Sequence, residues 1–322
     1  MADIISTTLT WNQEDAAKYF LQPLFISNND LSYFDVITNV SGASILLDKY
    51  SALKDVTKAF NNSDCFEADA TRSTNSNVTL SLTRLEVEHA QKASSLFNHI
   101  KSQLLRNGVD RLDLDGTVIM QMVSEILMGG IMRDFSTILW WGETTGGVGT
   151  QALANGIWEA ASGIPAAQRV AYTGTVLTDL ENLMVARTNE LAAADQVMFV
   201  SRAFAEKYRA ELTAKGVQGA YLDLQNGLNN LSYNGIPMIV KPDFDVNIAA
   251  YGASLSTGAP TAVGNTSCAF LVAKDAIAIG TDYEAQDVDM WYDKNCKENR
   301  FRMSYSFGCA LKDDSLVATI VA

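Results

Sequence analysis

The sequence predicts an α+β fold, and three observations carry that reading. Residues 180–212 read as helix, short buried strand, helix; residues 301–321 read as two long strands; residues 66–83 alternate apolar and polar side chains on either side of a polar tip. The 322-residue chain is 48% hydrophobic and 19% charged, the balance of a globular protein able to bury a large core in one elaborate domain or two. Its formal charge of −13, spread without an acidic tail or a basic arm, argues against a protein that grips nucleic acid through its phosphates.

From the start, Thr10 and Gln13 have capping-box spacing ahead of an amphipathic stretch, Trp11 to Leu21, which Pro23 closes. Residues 22–45 keep no sustained period and read either as an extended arm with contacts elsewhere or as a loop-rich edge. Phe66, Ala68 and Ala70 then alternate with Glu67, Asp69 and Thr71, and Val78, Leu80 and Leu82 alternate with Thr79, Ser81 and Thr83. The polar segment Arg72 to Asn77 between them makes the whole a β-hairpin with a wet tip. Its apolar face has no visible local partner. A lone two-stranded ribbon is marginal in water, so that face needs its own core or a neighbouring subunit. The phase then changes at Leu85 and Val87, where the strand bulges or hands over to a helix at about 88–105.

Asp115 is placed to cap a long helix, Gly116 to Trp141, in which 15 of 26 residues are large and apolar. Such a helix lies inside the protein, with Gly129 and Gly130 permitting a bend or close packing and Met120, Met122, Met128 and Met132 filling core. After a Gly-rich connection, 142–163, Thr178 and Glu181 form a capping box, and Leu180, Leu183, Met184 and Leu191 mark one helical face. Val197 to Val200 has the length of a buried strand. Ser201 caps the next helix, Phe204, Tyr208 and Leu212 line its inner side, Arg202 with Glu206 and Lys207 with Glu211 pair outside, and Gly216 ends it. The remainder reads as β: Ile236 to Val240 after Asn234-Gly235, an apolar stretch Phe270 to Ile279 around Lys274-Asp275, and the alternation Phe301, Met303, Tyr305, Phe307, Cys309, Leu311. Leu316 to Val321 is expected to return as the partner of that last strand, through a turn at 312–315.

Catalytic and metal-binding patterns are weak, and no cofactor is expected. Glu86 and His89 make one E-x-x-H pair at helical spacing, but the second pair of a di-iron bundle is missing because Leu96 precedes His99 by three. Asp243, Asp245 and Asn247 start like a calcium loop, which fails at Ile248 and Ser254. Asp282, Glu284, Asp287, Asp289 and Asp293 read as a solvated linker, with a bridging cation as the alternative. Gly147, Gly149 and Ala152 match the dinucleotide-binding turn, yet follow a long helix where a strand is required. Cys65, Cys268, Cys296 and Cys309 lack CxxC spacing and read as reduced thiols. The start shows no secretory pattern, and Glu125, Arg133 and Asp134 interrupt the longest apolar stretch, so no membrane span is expected.

The order of parts carries a resemblance. The segments LENLMVARTNELAAADQVMFVSRAFAEKYRAEL (180–212), LSYNGIPMIVKPDFD (231–245), FLVAKDAIAIGTD (270–282) and RFRMSYSFGCALKDDSLVATIVA (300–322), with the arm and hairpin ahead of them, resemble the major capsid proteins of tailed bacteriophages. Their Hong-Kong-ninety-seven-type fold is shared with encapsulins. The resemblance implies an N-terminal arm at 1–58, an extended hairpin, the E-loop, at 59–88, a peripheral domain from 89–171 and 271–322 with a spine helix in either 88–105 or 117–141, and an axial domain at 172–270.

It further implies a non-enzymatic protein that self-assembles through hexamers and pentamers into an icosahedral head around double-stranded DNA. That location is the virion, after assembly in the host cytoplasm. A separate scaffolding protein, a portal and cement proteins are the implied partners. Candidate contacts between subunits are Trp11 and Phe20 in the arm and Phe66, Ala68, Ala70, Arg72, Val78, Leu80 and Leu82 in the hairpin. Phe66 and Leu80 are expected to bury against a neighbour. No Lys lies between Asn61 and Gln91, so the hairpin is not expected to carry the Lys–Asn cross-link known in some shells. Two other readings stay open: an encapsulin-like compartment, and a dinucleotide-dependent oxidoreductase using the 147–152 turn.

Overall fold

The computed structural model describes residues 30–38, 40, 42–50, 75–92, 118–216, 231–251, 266–282 and 288–321. The first half contains strands β1 (Asp35–Ile37), β2 (Ser44–Tyr50), β3 (Asn75–Ser81) and β4 (Thr83–Gln91), then helix α1 (Val118–Trp141) and the short helix α2 (Ile157–Ala160). A middle section follows with β5 (Arg169–Ala171), α3 (Val176–Ala186), α4 (Asn189–Ala193), β6 (Gln196–Ser201) and α5 (Arg202–Ala214). The last third has β7 (Ser232–Tyr233), β8 (Ile236–Lys241), α6 (Pro242–Tyr251), β9 (Ala269–Ala273), β10 (Ile277–Asp282), β11 (Val288–Asp293), β12 (Glu298–Leu311) and β13 (Val317–Val321).

These strands form two main sheets. One has six strands in the order β5-β13-β9-β6-β8-β7. Its central strands β6 and β9 are apolar runs, buried along almost every residue because both faces are covered. Asn234 and Gly235, both at positive φ, make the tight turn between β7 and β8. The other sheet has five strands, β1-β10-β12-β11 with β4 beside β12. Here β12 alternates, and its inward side, Phe301, Met303, Tyr305 and Phe307, joins the core. A separate ribbon, β2 paired with β3, stands at one end.

Helix α1 ties the two sheets together. Phe135 meets Tyr305 and Phe307 of β12 edge-on, and one turn later Trp140 meets Phe199 of β6, Phe244 of α6 and Phe270 of β9. Trp140, Trp141 and Trp158 are fully buried, an aromatic hub of the kind that dominates core energetics. At the end of α1 the backbone turns against itself: a Cβ on Gly142 would stand 2.1 Å from the Ala154 carbonyl oxygen, so only glycine fits. The segment 30–38 is pinned to the same hub. Phe34 packs on Trp140 and Phe199, and the buried Asp30 accepts hydrogen bonds from Trp140 Nε1 at 3.1 Å and from Lys241 Nζ at 2.5 Å.

Several expectations hold. The long helix ends at Trp141, β6 is the predicted buried strand, Ser201 Oγ accepts from Phe204 N at 3.3 Å as the cap of α5, and Arg202 pairs with Glu206 at 2.7 Å. Others are corrected. The strand carrying Val78 and Leu80 pairs with Ser44–Tyr50, a segment read from the sequence as part of the arm. Residues 65–71, its expected partner, lie outside the described residues. Leu80 has a partner within its own chain: it is completely buried on Ala278 and Ala310, because the ribbon folds back onto β10 and β12.

Residues 88–91 are strand, not helix, since β4 pairs with β12 from Thr83 to Gln91. Glu86 and His89 therefore lie on opposite faces of a strand, and their helical spacing has no meaning. The expected Leu316–Val321 partner of β12 pairs instead with β9 and β5, because both edges of β12 are taken, one by β4 and the other by β10 and β11. The strands expected together in 271–322 thus divide between the two sheets, switching at Lys274-Asp275, where Asp275 adopts φ +61. Residues 288–293 of the acidic run form β11. The Thr178–Glu181 box does not start α3. Thr175 stands at the N-cap position, and Glu211 of α5 caps the helix instead, accepting from Val176 N at 2.7 Å and Leu177 N at 2.9 Å. Lys207, expected to pair with Glu211, donates to Tyr172 Oη at 2.8 Å.

Candidate assembly surface

The ribbon has two faces. Ile45, Leu47, Val78 and Leu80 point to the body and pack on Ala278, Ala310 and Ile37. On the other face Leu46, opposite Thr79 in register, is 62% exposed. At the root, Leu82 N donates to Ala43 O at 2.8 Å, and Leu82 lies half-buried beside β10 and β12. Of the predicted contact residues, Val78, Leu80 and Leu82 therefore come together at this root. Trp11, Phe20, Phe66, Ala68, Ala70 and Arg72 lie outside the described residues.

The five-stranded sheet presents a charged outer face. Arg302 pairs with Glu86 and, at 3.9 Å, with Glu88; Arg300 reaches Asp293 at 3.1 Å and Glu298 at 3.5 Å; Lys92 reaches Glu298 at 3.5 Å. Trp291 sits 44% exposed among these charges. The carboxyl of Asp293 is held below its usual range by backbone hydrogen bonds from Asn295 and Cys296, with Arg300 adding to the effect. These pairs are solvent-exposed and contribute little to stability each, about 0–1 kcal/mol, so they set the character of the surface more than its strength.

Between the inner face of β4 and the first half of α1 runs an apolar groove of about 400 Å³, lined by Val87, Val123, Ile126, Leu127 and Ile131, with His89 and Asp134 at its margin. Ile126 is 68% exposed there. Partial burial raises the Asp134 carboxyl pKa above its ordinary value, and burial, with Asp134 nearby, raises that of the Tyr305 hydroxyl. Among the described residues, no atom lies within 4 Å of where a Cβ on Gly129 or Gly130 would stand.

Chemistry finds less support. Gly147 follows α1 and a turn, and residues 149–153 form a 3-10 helix; a Cβ on Gly147 would meet the Glu143 carbonyl oxygen at 2.1 Å, so its glycine serves chain packing. Asp243 and Asp245 lie in the first turn of α6, where Asp245 accepts from Ala203 N at 3.2 Å. Among the described residues, no group of three or more metal-ligating side chains gathers and no helix is long and apolar enough to cross a membrane.

Sequence reasoning missed the segment 44–47 and two glycines beneath it, Gly280 and Gly308. The run Ser44-Ile45-Leu46-Leu47 after Gly42 is a strand signal in hindsight, and glycines inside strand patterns mark close backbone approach.

This arrangement of sheets, ribbon and joining helix is the Hong-Kong-ninety-seven-type fold of phage capsid proteins and encapsulins. The chain superposes on a subunit of the satellite phage P4 procapsid, which includes a size determination (Sid) protein, with TM-score 0.60, 8% identity, and 98% of this chain and 93% of that one covered. It matches the capsid of a native GTA particle with TM-score 0.57 and 12% identity over 100% and 95% of the two chains. The holo-SrpI encapsulin complex from Synechococcus elongatus matches with TM-score 0.54 and 10% identity over 89% and 84%. No family model and no curated protein matches the sequence.

Proposed function

We propose that this chain is a major capsid protein that self-assembles through hexamers and pentamers into an icosahedral shell around double-stranded DNA. The observation that carries the reading is the match to the P4 procapsid subunit across nearly the full length of both chains, at TM-score 0.60. Function then lies in repeated heterologous contacts that close, and no catalytic group is needed. Scaffolding, portal and cement proteins are the partners this role implies.

The charge of −13 fits a container that surrounds DNA without holding it, since an acidic wall repels phosphates. The ribbon is the proposed arm between subunits, with Phe66, Ala68, Ala70 and Arg72 and the N-terminal Trp11 and Phe20 as contact candidates. Leu46, exposed on its outer face, joins them.

Negative-stain microscopy of the purified protein tests the reading: closed particles are expected, and a protein that stays monomeric at all salt and protein concentrations overturns it. The encapsulin match supports a second reading, a compartment holding protein cargo. Particles that protect nuclease-resistant DNA favour the capsid, and particles with a protein cargo and no DNA favour the compartment. Leu46→Asp with Phe66→Asp is expected to abolish particles while leaving a folded monomer; normal particles from that variant remove this part of the ribbon from the contact.

A further inference from the structure

Gly280 and Gly308 are direct cross-strand partners on β10 and β12, and the root of the ribbon rests on them. A Cβ on Gly280 would stand 2.8 Å from Leu80 Cδ2 and 3.0 Å from Leu82 Cδ2. A Cβ on Gly308 would stand 2.2 Å from the Ser81 carbonyl oxygen and 3.0 Å from its carbon. Glycine in the interior of two paired strands weakens a sheet, since it loses chain entropy and packs no side chain. Here two of them face each other, and together they cut a notch one side chain deep. Leu80 fills one half of it, and the backbone of Ser81 fills the other.

We propose that the Gly280–Gly308 pair is a positioning seat that sets the direction in which the ribbon leaves the body, and through it the geometry of contact with the next subunit. The second clause rests on the capsid reading; the first does not. The seat sits at the hinge end of the lever. Asn75–Ser81 leads to the root, Thr83–Gln91 is already paired along β12, and only Leu82 separates them, so a shift at Ser81 cannot be absorbed by a flexible linker. Any displacement is carried outward along β2 and β3. The inward side chains Ile45, Leu47 and Val78 then lose register with Ala278, Ala310 and Ile37.

The two halves of the notch behave differently, which makes the proposal testable. At Gly280 the obstacle is the end of a leucine side chain, which can be removed. At Gly308 it is backbone, which cannot. In a double-mutant cycle, Gly280→Ala is expected to perturb the ribbon in wild type but to add much less once Leu80→Ala removes the nearer contact and leaves only Leu82 Cδ2, at 3.0 Å. Gly308→Ala is expected to keep its full effect in the Leu80→Ala background.

The readout is amide exchange of residues 44–50 and 75–82, followed by mass spectrometry on the unassembled full chain. Exchange there should quicken about tenfold in Gly308→Ala while residues 196–201 stay protected. Particle formation is scored on the same proteins. Unchanged exchange in Gly308→Ala, or equal rescue of both glycine variants by Leu80→Ala, overturns the seat. If Gly308→Ala does not fold, the Gly280→Ala and Leu80→Ala cycle decides alone: additive effects overturn the seat and non-additive ones support it. Quickened ribbon exchange with normal particles removes the link to assembly and leaves the seat standing. A wild type that forms no particles defeats the capsid reading, and the exchange result still decides the seat.

Discussion

The six-stranded sheet and the five-stranded sheet with its ribbon are built on opposite plans. In the first, β6 and β9 are buried almost throughout, and the helix caps are supplied from inside: Glu211 of α5 caps α3, Ser201 caps α5, and Asp245 of α6 holds Ala203 N. In the second, β4, β11 and β12 carry charged side chains on their outer face, and Trp291 remains exposed among them, with Leu46 exposed on the ribbon. A region that satisfies its own backbone and core can fold as a body, whereas one that leaves apolar faces open has surface to offer a partner. The difference lies in the strands: covered on both faces at the centre of one sheet, charged and open on one face at the edge of the other.

Helix α1 belongs to both regions, and the sharpest way to break the comparison is to mutate its two ends. Trp140, completely buried among Phe34, Phe199, Phe244 and Phe270, is expected to cost about 3–5 kcal/mol when replaced by Ala, read by urea unfolding. Ile126, fourteen positions earlier on the same helix, is mostly exposed, and Ile126→Ser should change stability by less than about 0.5 kcal/mol. Equal losses at both positions would show that α1 is held alike along its length and would erase the distinction.

A smaller effect separates the regions by how their helices are capped. Glu211 bonds two of the backbone N–H groups that the first turn of α3 leaves without helical partners, and removing it by Glu211→Ala should cost about 2 kcal/mol. Glu211→Gln keeps one acceptor oxygen and should recover part of that loss. A variant as stable as wild type would mean that water caps α3 equally well.

What the sequence made legible follows the same division. The buried strand, the Ser201 cap and the inward alternation of β12 depend on neighbours within a few residues, and their patterns were complete in the sequence. The ribbon partner, the destination of β13 and the Glu211 cap depend on pairing across 25 or more positions, for which local periodicity holds no information. Val78 and Leu80 alternate correctly for either partner, so alternation could not choose between Ser44–Tyr50 and residues 65–71. Likewise Gly280 and Gly308 stand 28 positions apart, and only their shared register reveals them as a pair.

The cysteines give the finest measure of the contrast. Cys268 is buried next to the six-stranded sheet, where burial pushes its thiol pKa far up, with Asp245 adding to the effect. Cys309 lies on β12 beside Gly308 and the ribbon root, and burial pushes its thiol up to about 12 from 9.0. A raised thiol pKa means that the folded chain keeps its proton after the unfolded chain has released it. The stability from the Cys309 site is therefore complete below about pH 9.0 and falls as pH rises from there toward 12, and that from Cys268 falls in the same direction. Thiolate is the reactive form, so at pH 8 an alkylating reagent should label the exposed Cys296 well before Cys268 and Cys309. Between those two, Cys309 should react sooner, because it is only half-buried near the end of β12, whereas Cys268 is fully buried and waits for the six-stranded sheet to open. Peptide-resolved mass spectrometry measures both rates. Equal rates at Cys268 and Cys309 would mean that the two sheets open together, as one cooperative unit.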